Sequence, residues 1–290
     1  VLETEDRAMN RVVAPEISAF FQTMHKAAGV KIEFGRMVQE FRGTDSVKEI
    51  ICADGHVAPA DSCIVGIGII PNSELAKEAG LEIAPGGFIK VNQKMQTSDP
   101  DIYAGGDCVE IMNLMTGKPG YFPLGSMANR QGRVIGTNMA GGDSVFNGAV
   151  GSFVVKTFDM ALAGAGLSVE SAQKNGFDAV GIQVSQFDRA HFFPEKEIIF
   201  LELVVDQKTH KVLGIQGFGG VGSGMFARIN AVASILQYHP TVDAISNLEL
   251  AYSPPFASAM DIINALGNAA ENFLEGRYKP VAFDEFDECW

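Results

Sequence analysis

Three stretches of this chain hold residue types at spacings that could do chemistry. The first is Thr97-Ser98-Asp99-Pro100-Asp101-Ile102-Tyr103-Ala104-Gly105-Gly106-Asp107. Its Ile102-Tyr103-Ala104 run is β-prone and is expected as a short buried strand. Gly105 and Gly106 then let the backbone approach a ligand with no Cβ in the way. Asp107 follows at the strand's carboxyl end, where open α/β sheets bind ligands, and its carboxylate can accept a hydrogen bond from a sugar-like hydroxyl. The second stretch is Tyr252-Ser253-Pro254-Pro255-Phe256. Its paired prolines hold the backbone extended, and the run Ala257-Ser258-Ala259-Met260 is expected to start a helix, so Tyr252 stands on a rigid stem. The third is Leu124-Gly125-Ser126-Met127-Ala128-Asn129-Arg130-Gln131-Gly132-Arg133, a helix whose small leading residues after Pro123 leave room at its amino end.

The elements that must position these groups fit easily in the chain. At 290 residues and 47% hydrophobic content it can bury sizeable cores, and its length suggests about two domains. A net charge of -13 argues against nucleic acid or an anionic membrane surface as a partner. No apolar run approaches the ~20 residues that cross a bilayer. The start, Val1-Leu2-Glu3-Thr4-Glu5-Asp6, has neither the basic nor the apolar part of a secretory leader. Cys52, Cys63, Cys108 and Cys289 are widely spaced, with no metal or redox pairing pattern, so reduced thiols and a cytoplasmic location are expected.

Periodicity divides the chain further. A helix is expected over 15–28, with Ile17, Phe20, Phe21 and Met24 on one face, then a strand over 30–34. Strand-like runs at 38–41, 47–53 and 56–57 make a meander turned by Asp54-Gly55, and 62–66 reads as a short buried strand. A strand at 87–91 and a helix at 124–139 follow, with Gly141-Gly142-Asp143 as a linker. Beyond it come strands at 152–158 and 179–187, a hairpin of 198–206 with 212–218, and helices at 168–175, 225–237 and 260–275. Antiparallel strands with helices on one side describe an α+β domain.

The Thr97–Asp107 stretch resembles the second flavin-binding motif of the FAD-dependent pyridine nucleotide-disulfide oxidoreductases, in which the aspartate holds the ribityl chain. The Tyr252 block resembles the Tyr-x-Pro-Pro-Phe segment of the branch that contains coenzyme A-disulfide reductases, NADH oxidases and persulfide reductases. There the tyrosine reaches the redox cysteine of the other subunit. The segment at Leu124 resembles the family helix whose first N–H groups, here at Leu124, Gly125 and Ser126, face the flavin edge that gains negative charge on reduction. Glu3 stands where a Rossmann unit places the acid that binds the adenosine ribose, which favours NADH.

The resemblance implies an α/β fold class: a partial Rossmann-like FAD/NAD-binding region followed by an α+β dimerisation domain. The parts are a partial NADH-binding domain (1–69), the C-terminal half of an FAD-binding domain (70–144), a dimerisation domain (145–280) and a tail (281–290) that could lead into a further domain. The implied protein is a homodimer that moves a hydride from NADH to FAD and on to a cysteine that reduces a small-molecule disulfide or persulfide, with Tyr252 catalytic and Asp107, Gly106, Leu124, Gly125, Ser126 and Glu3 binding cofactors. No metal, nucleic acid or membrane is implied. Both glycine fingerprints and the redox cysteine are expected ahead of Val1, so the chain alone is expected to be inactive. The alternatives are a fragment that serves only for dimerisation and a parent that is an NADH oxidase reducing oxygen.

Departures from the family pattern leave the substrate open. Ala190-His191-Phe192-Phe193-Pro194 replaces a Tyr-Tyr-Pro run, and Glu202 stands where the family often has lysine. His239-Pro240-Thr241 is similar to the base-bearing run of related reductases, but the orienting carboxylate five residues on is Ala244, so His239 is expected at a surface helix end. Cys108 is expected as a packing residue, and the glycine cluster 217–224 as a flexible bend.

Overall fold

The structure, a computed structural model, describes residues 1–279 apart from Arg11. The acidic tail at 281–290 lies outside the described residues. Two compact units form: residues 1–63 with those from Ser152 on, and residues 64–151.

In chain order the first unit opens with Leu2 bridged in parallel to Glu33, then α1 (Pro15–Ala27). Strands β1 (Val38–Arg42), β2 (Glu49–Cys52) and β3 (Val57–Pro59) form the expected antiparallel meander, in the order β1-β2-β3. The strand expected at 30–34 is only the single Glu33 bridge.

The second unit contains α2 (Glu74–Glu78), β4 (Ile89–Lys90), β5 (Val109–Asn113), β6 (Lys118–Gly120) and α3 (Gly125–Met139). Strand β4 is parallel to β5, which is antiparallel to β6. Met95, Val109, Ile111, Val134 and Phe146 make its core. The buried strand expected at 62–66 is absent. Ile64 is 99% exposed and Ile67 92%, because no strand pairs with this run among the described residues and an unpaired extended backbone is left to water. The strand expected at 102–104 is likewise reduced to one bridge, Gln96 to Tyr103, and regular pairing begins only at Val109.

The first unit resumes with β7 (Phe153–Thr157), β8 (Met160–Gly166), α4 (Val169–Lys174), β9 (Ala179–Phe187), β10 (Ile198–Asp206), β11 (Val212–Gly220), α5 (Met225–Leu236), α6 (Val242–Ser246) and α7 (Ile262–Leu274). The five strands form one antiparallel sheet ordered β7-β8-β11-β10-β9. Helices α5 and α7 pack on one face. Contrary to the expectation of helices on one side only, α1 packs on the other, through Val13, Ala14 and Ile17 against Leu162 and Phe218. Cover on both faces explains why β10 and β11 read as near-continuous apolar runs with almost every residue buried. It also turns the first half of the glycine cluster, Gly217–Gly220, into strand rather than bend.

The last helix starts after Asp261, whose carboxylate accepts the Ile263 N–H at 3.0 Å, so the Ala257–Met260 run stays in the loop and does not open it. His239 lies on the surface just past the end of α5, with a positive φ of 52°.

Candidate functional site

The Gly105-Gly106-Asp107 motif and the helix at Leu124 lie apart in sequence, and the second unit packs them together. The Gly106 N–H donates to Gln131 Oε1 at 2.6 Å, and Gln131 is almost wholly buried. Ala128, Gln131 and Ile135 lie on one face of α3, three and four residues apart. A Cβ on Gly105 would sit 2.8 Å from Ile135 Cδ1, and Gly106 has φ +89° with Ala128 Cβ 3.9 Å away. The two glycines are therefore needed for the turn to lie flat on the helix, and that contact holds Asp107 just past it, exposed to solvent.

The amino end of α3 is chemically bare. Leu124 is the N-cap, extended and without a side-chain cap, and no acidic residue occupies the first turn. Gly125 and Ser126 are exposed. Their N–H groups and the positive end of the helix dipole are available to an electron-rich group.

One neighbour of Asp107, Tyr121, was not singled out in the sequence. Tyr121 packs against Phe88 with the rings tilted and their centroids 4.3 Å apart, and its hydroxyl is buried with no hydrogen-bond partner among the described residues. Burial pushes the Tyr121 phenol up, and the Asp107 charge adds to the shift. Cys108 points its Sγ at Gly105 O, 3.6 Å away, and burial pushes its thiol up, with the Asp107 charge adding again. A thiol held protonated is a poor nucleophile, which suits packing. Gln131 had one sequence signal, an amide on the α3 face shared by Ala128 and Ile135.

In the first unit Glu3 is half-buried beside the Leu2–Glu33 bridge. Its Oε1 accepts from the Glu5 N–H at 3.1 Å and Thr4 Oγ1 at 3.2 Å. Its other oxygen has no hydrogen bond among the described residues. The Glu33 carboxyl close by is held below its usual range, first by a hydrogen bond from Lys31, with His56 and Arg36 adding charge.

Tyr252 lies on the loop between α6 and α7, more than half exposed, and its hydroxyl makes no hydrogen bond among the described residues. The loop docks on the end of β9, where the Ala190 N–H donates to Pro254 O at 3.3 Å and Ser258 Oγ to Arg189 O at 3.1 Å. Thus Gly106, with Asp107 next in the chain, is held against the middle of α3, the helix whose start carries Leu124, Gly125 and Ser126, while Glu3 and Tyr252 stand on separate elements of the first unit.

Residues 1–132 match the profile of the pyridine nucleotide-disulphide oxidoreductases, and residues 152–262 match that family's dimerisation domain. The chain belongs to this family. It is 34% identical over 256 residues to an NAD(P)H sulfur oxidoreductase (CoA-dependent) from Pyrococcus abyssi, covering 88% of this chain and 56% of that protein. An NAD-dependent persulfide reductase from A. fulgidus superposes with a TM-score of 0.92 at 37% identity, over 97% of this chain and 52% of that one. An FAD-dependent pyridine nucleotide-disulphide oxidoreductase from Desulfovibrio vulgaris gives a TM-score of 0.83 at 46% identity, over 94% and 64%. The chain spans about half the length of the curated relatives it matches. The fold class is that of the family, an α/β nucleotide-binding region with an α+β dimerisation domain. No helix among the described residues is long and apolar enough to cross a membrane.

Proposed function

We propose that this chain is part of an FAD-dependent, NADH-using homodimeric reductase of small disulfides or persulfides. The observation that carries this is the hydrogen bond from Gly106 to Gln131, which ties the turn before Asp107 to α3, the helix with a bare amino end. The glycine turn and the absence of an acidic first turn fit a flavin there. When bound, FAD supplies the redox centre that takes up and passes on a hydride.

The chain's own groups have separable tasks. Asp107 accepts a hydrogen bond from a ribityl hydroxyl. The Gly125 and Ser126 N–H groups donate toward the flavin edge where negative charge gathers on reduction. The unengaged Glu3 oxygen accepts from the adenosine ribose of NADH, and its charge disfavours a 2′-phosphate. Tyr252 donates a proton to the thiolate that leaves when a disulfide or persulfide is opened. With its thiol pushed up, Cys108 is not suited to the attacking role.

The division into 1–69, 70–144 and 145–280 belongs to the same proposal, as does self-association through the last part. Val232 and Leu236, apolar positions of α5 that pattern alone would offer to a mate, are wholly buried within the unit. Open apolar groups there include Phe256, 76% exposed, Met260 and Phe192. These seat the second copy, and a concentration-independent monomer in sedimentation at micromolar levels refutes that.

Asp107→Asn tests the flavin assignment. Losing an anionic acceptor costs about 1.5–3 kcal/mol of binding, so FAD is expected to dissociate at least tenfold more readily in a fluorescence titration. Unchanged affinity removes Asp107 from the ribityl chain.

A further inference from the structure

The loop bearing Tyr252 has no regular structure, yet both its anchors meet at one side chain. Arg228, on α5, is 8% exposed. Its Nη2 donates to Asp188 O at 2.7 Å, at the end of β9, and to Asp261 Oδ2 at 2.8 Å. Its Nε adds bonds to both Asp261 oxygens at 3.2 and 3.1 Å, and Nη1 donates to Ser223 O at 3.3 Å. Asp261, 6% exposed, is the N-cap of α7 and closes the loop. The residues next to Asp188 are those that hold the loop's other half, Arg189 through Ser258 and Ala190 through Pro254. Gly224, at φ +71°, keeps the space open, since a Cβ there would lie 2.8 Å from Arg228 Nη1.

We infer that Arg228 is a positioning residue for Tyr252, fixing the end of β9 against the cap of α7 and with them the loop that presents the phenol. The guanidinium suits this because its planar fork directs donors to several acceptors at once, whereas a lysine offers one point charge. Among the described residues the Tyr252 hydroxyl makes no hydrogen bond, so its place depends on these backbone anchors. The inference rests on the proton-donor assignment of Tyr252.

A purely structural ion pair and a positioning residue differ in what loosens when the pair is weakened. In Arg228→Lys, and in the milder Ser258→Ala, hydrogen exchange at the Phe256 and Ala257 amides, which close on Ser253 O, is expected to speed up about tenfold, with Leu203 and Ile215 in the sheet unchanged. In the FAD-loaded, full-length dimer, Arg228→Lys is expected to slow flavin reoxidation by coenzyme A disulfide about 10²-fold, the usual cost of a small misplacement, and to leave reduction by NADH intact. Equal acceleration across the sheet in both variants overturns the inference, as does unchanged reoxidation in Arg228→Lys where Tyr252→Phe slows it. Unchanged reoxidation in Tyr252→Phe overturns the proton-donor assignment instead, and the exchange result then still decides whether Arg228 holds the loop.

Discussion

The carboxamide of Gln131 receives the Gly106 N–H at 2.6 Å, joining two segments that lie 25 residues apart. The bond ties the turn that carries Asp107 to the middle of α3, about two turns from the helix start.

Gln131→Met keeps the side-chain length and removes the acceptor. A buried N–H left without a partner costs about 1–3 kcal/mol. Thermal unfolding is expected to show a loss of that size, accompanied by weaker FAD binding. An unchanged melting temperature with unchanged affinity means the contact positions nothing.

Gly105→Ala places a methyl 2.8 Å from Ile135 Cδ1. Crowding of this kind costs about 1–3 kcal/mol. The obstacle is the far end of a flexible side chain, so Ile135→Val in the same chain is expected to recover part of the loss. Denaturant titration of the single and double variants measures the coupling, and strict additivity refutes the contact.

Tyr252→Phe removes the hydroxyl alone. Proton donation is worth ~10²–10⁴-fold in rate, so reoxidation of the reduced full-length enzyme by a disulfide is expected to slow by that order while NADH-driven flavin reduction keeps its rate. Stopped-flow absorbance separates the two half-reactions. With Phe192 and Phe193 in place of the family's second tyrosine, no other phenol of that run is left to compensate. Reoxidation at the original rate favours a chemistry that needs no tyrosine, such as oxygen reduction at the flavin.

Glu202 makes the stability of the first unit depend on pH. It is buried in β10, where Gln183 Nε2 and Gln216 Nε2 donate to its two oxygens at 2.8 and 2.6 Å. Gln216 in turn accepts the Ala14 N–H at the start of α1. Burial pushes the Glu202 carboxyl up, Glu16 adds to the shift, and the two amides oppose it. The folded state thus holds this proton more tightly than the unfolded chain. Its stabilising contribution is complete below the unfolded glutamate value of about 4.3 and is lost as pH rises through the raised folded value. Melting temperatures of the parent and Glu202→Gln across the acid-to-neutral range are expected to diverge, with the variant gaining relative to the parent as pH rises. Parallel curves count against it.

Sequence alone determined what depends on local order. Asp54-Gly55 marked the turn of the β1–β2–β3 meander, and the α1, α3 and α5 patterns marked helices whose ends lie within a residue or so of expectation. The Gly105-Gly106-Asp107 and Tyr252 blocks named the family because a glycine turn and a proline-stiffened stem are encoded by adjacent residues. Strands were less legible, because a strand exists only through its partner. The apolar run at 62–66 has none among the described residues and lies open, while Val109–Asn113 finds β4 and β6 and becomes regular. Tertiary structure alone decided the rest. It put α1 on the second face of the five-stranded sheet, set Gln131 under Gly106, and gathered Asp188, Ser223 and Asp261 around one arginine. All of those contacts but the one to Ser223 join residues tens of positions apart, and their geometry comes from how helices and sheet pack, which no local pattern of residues records.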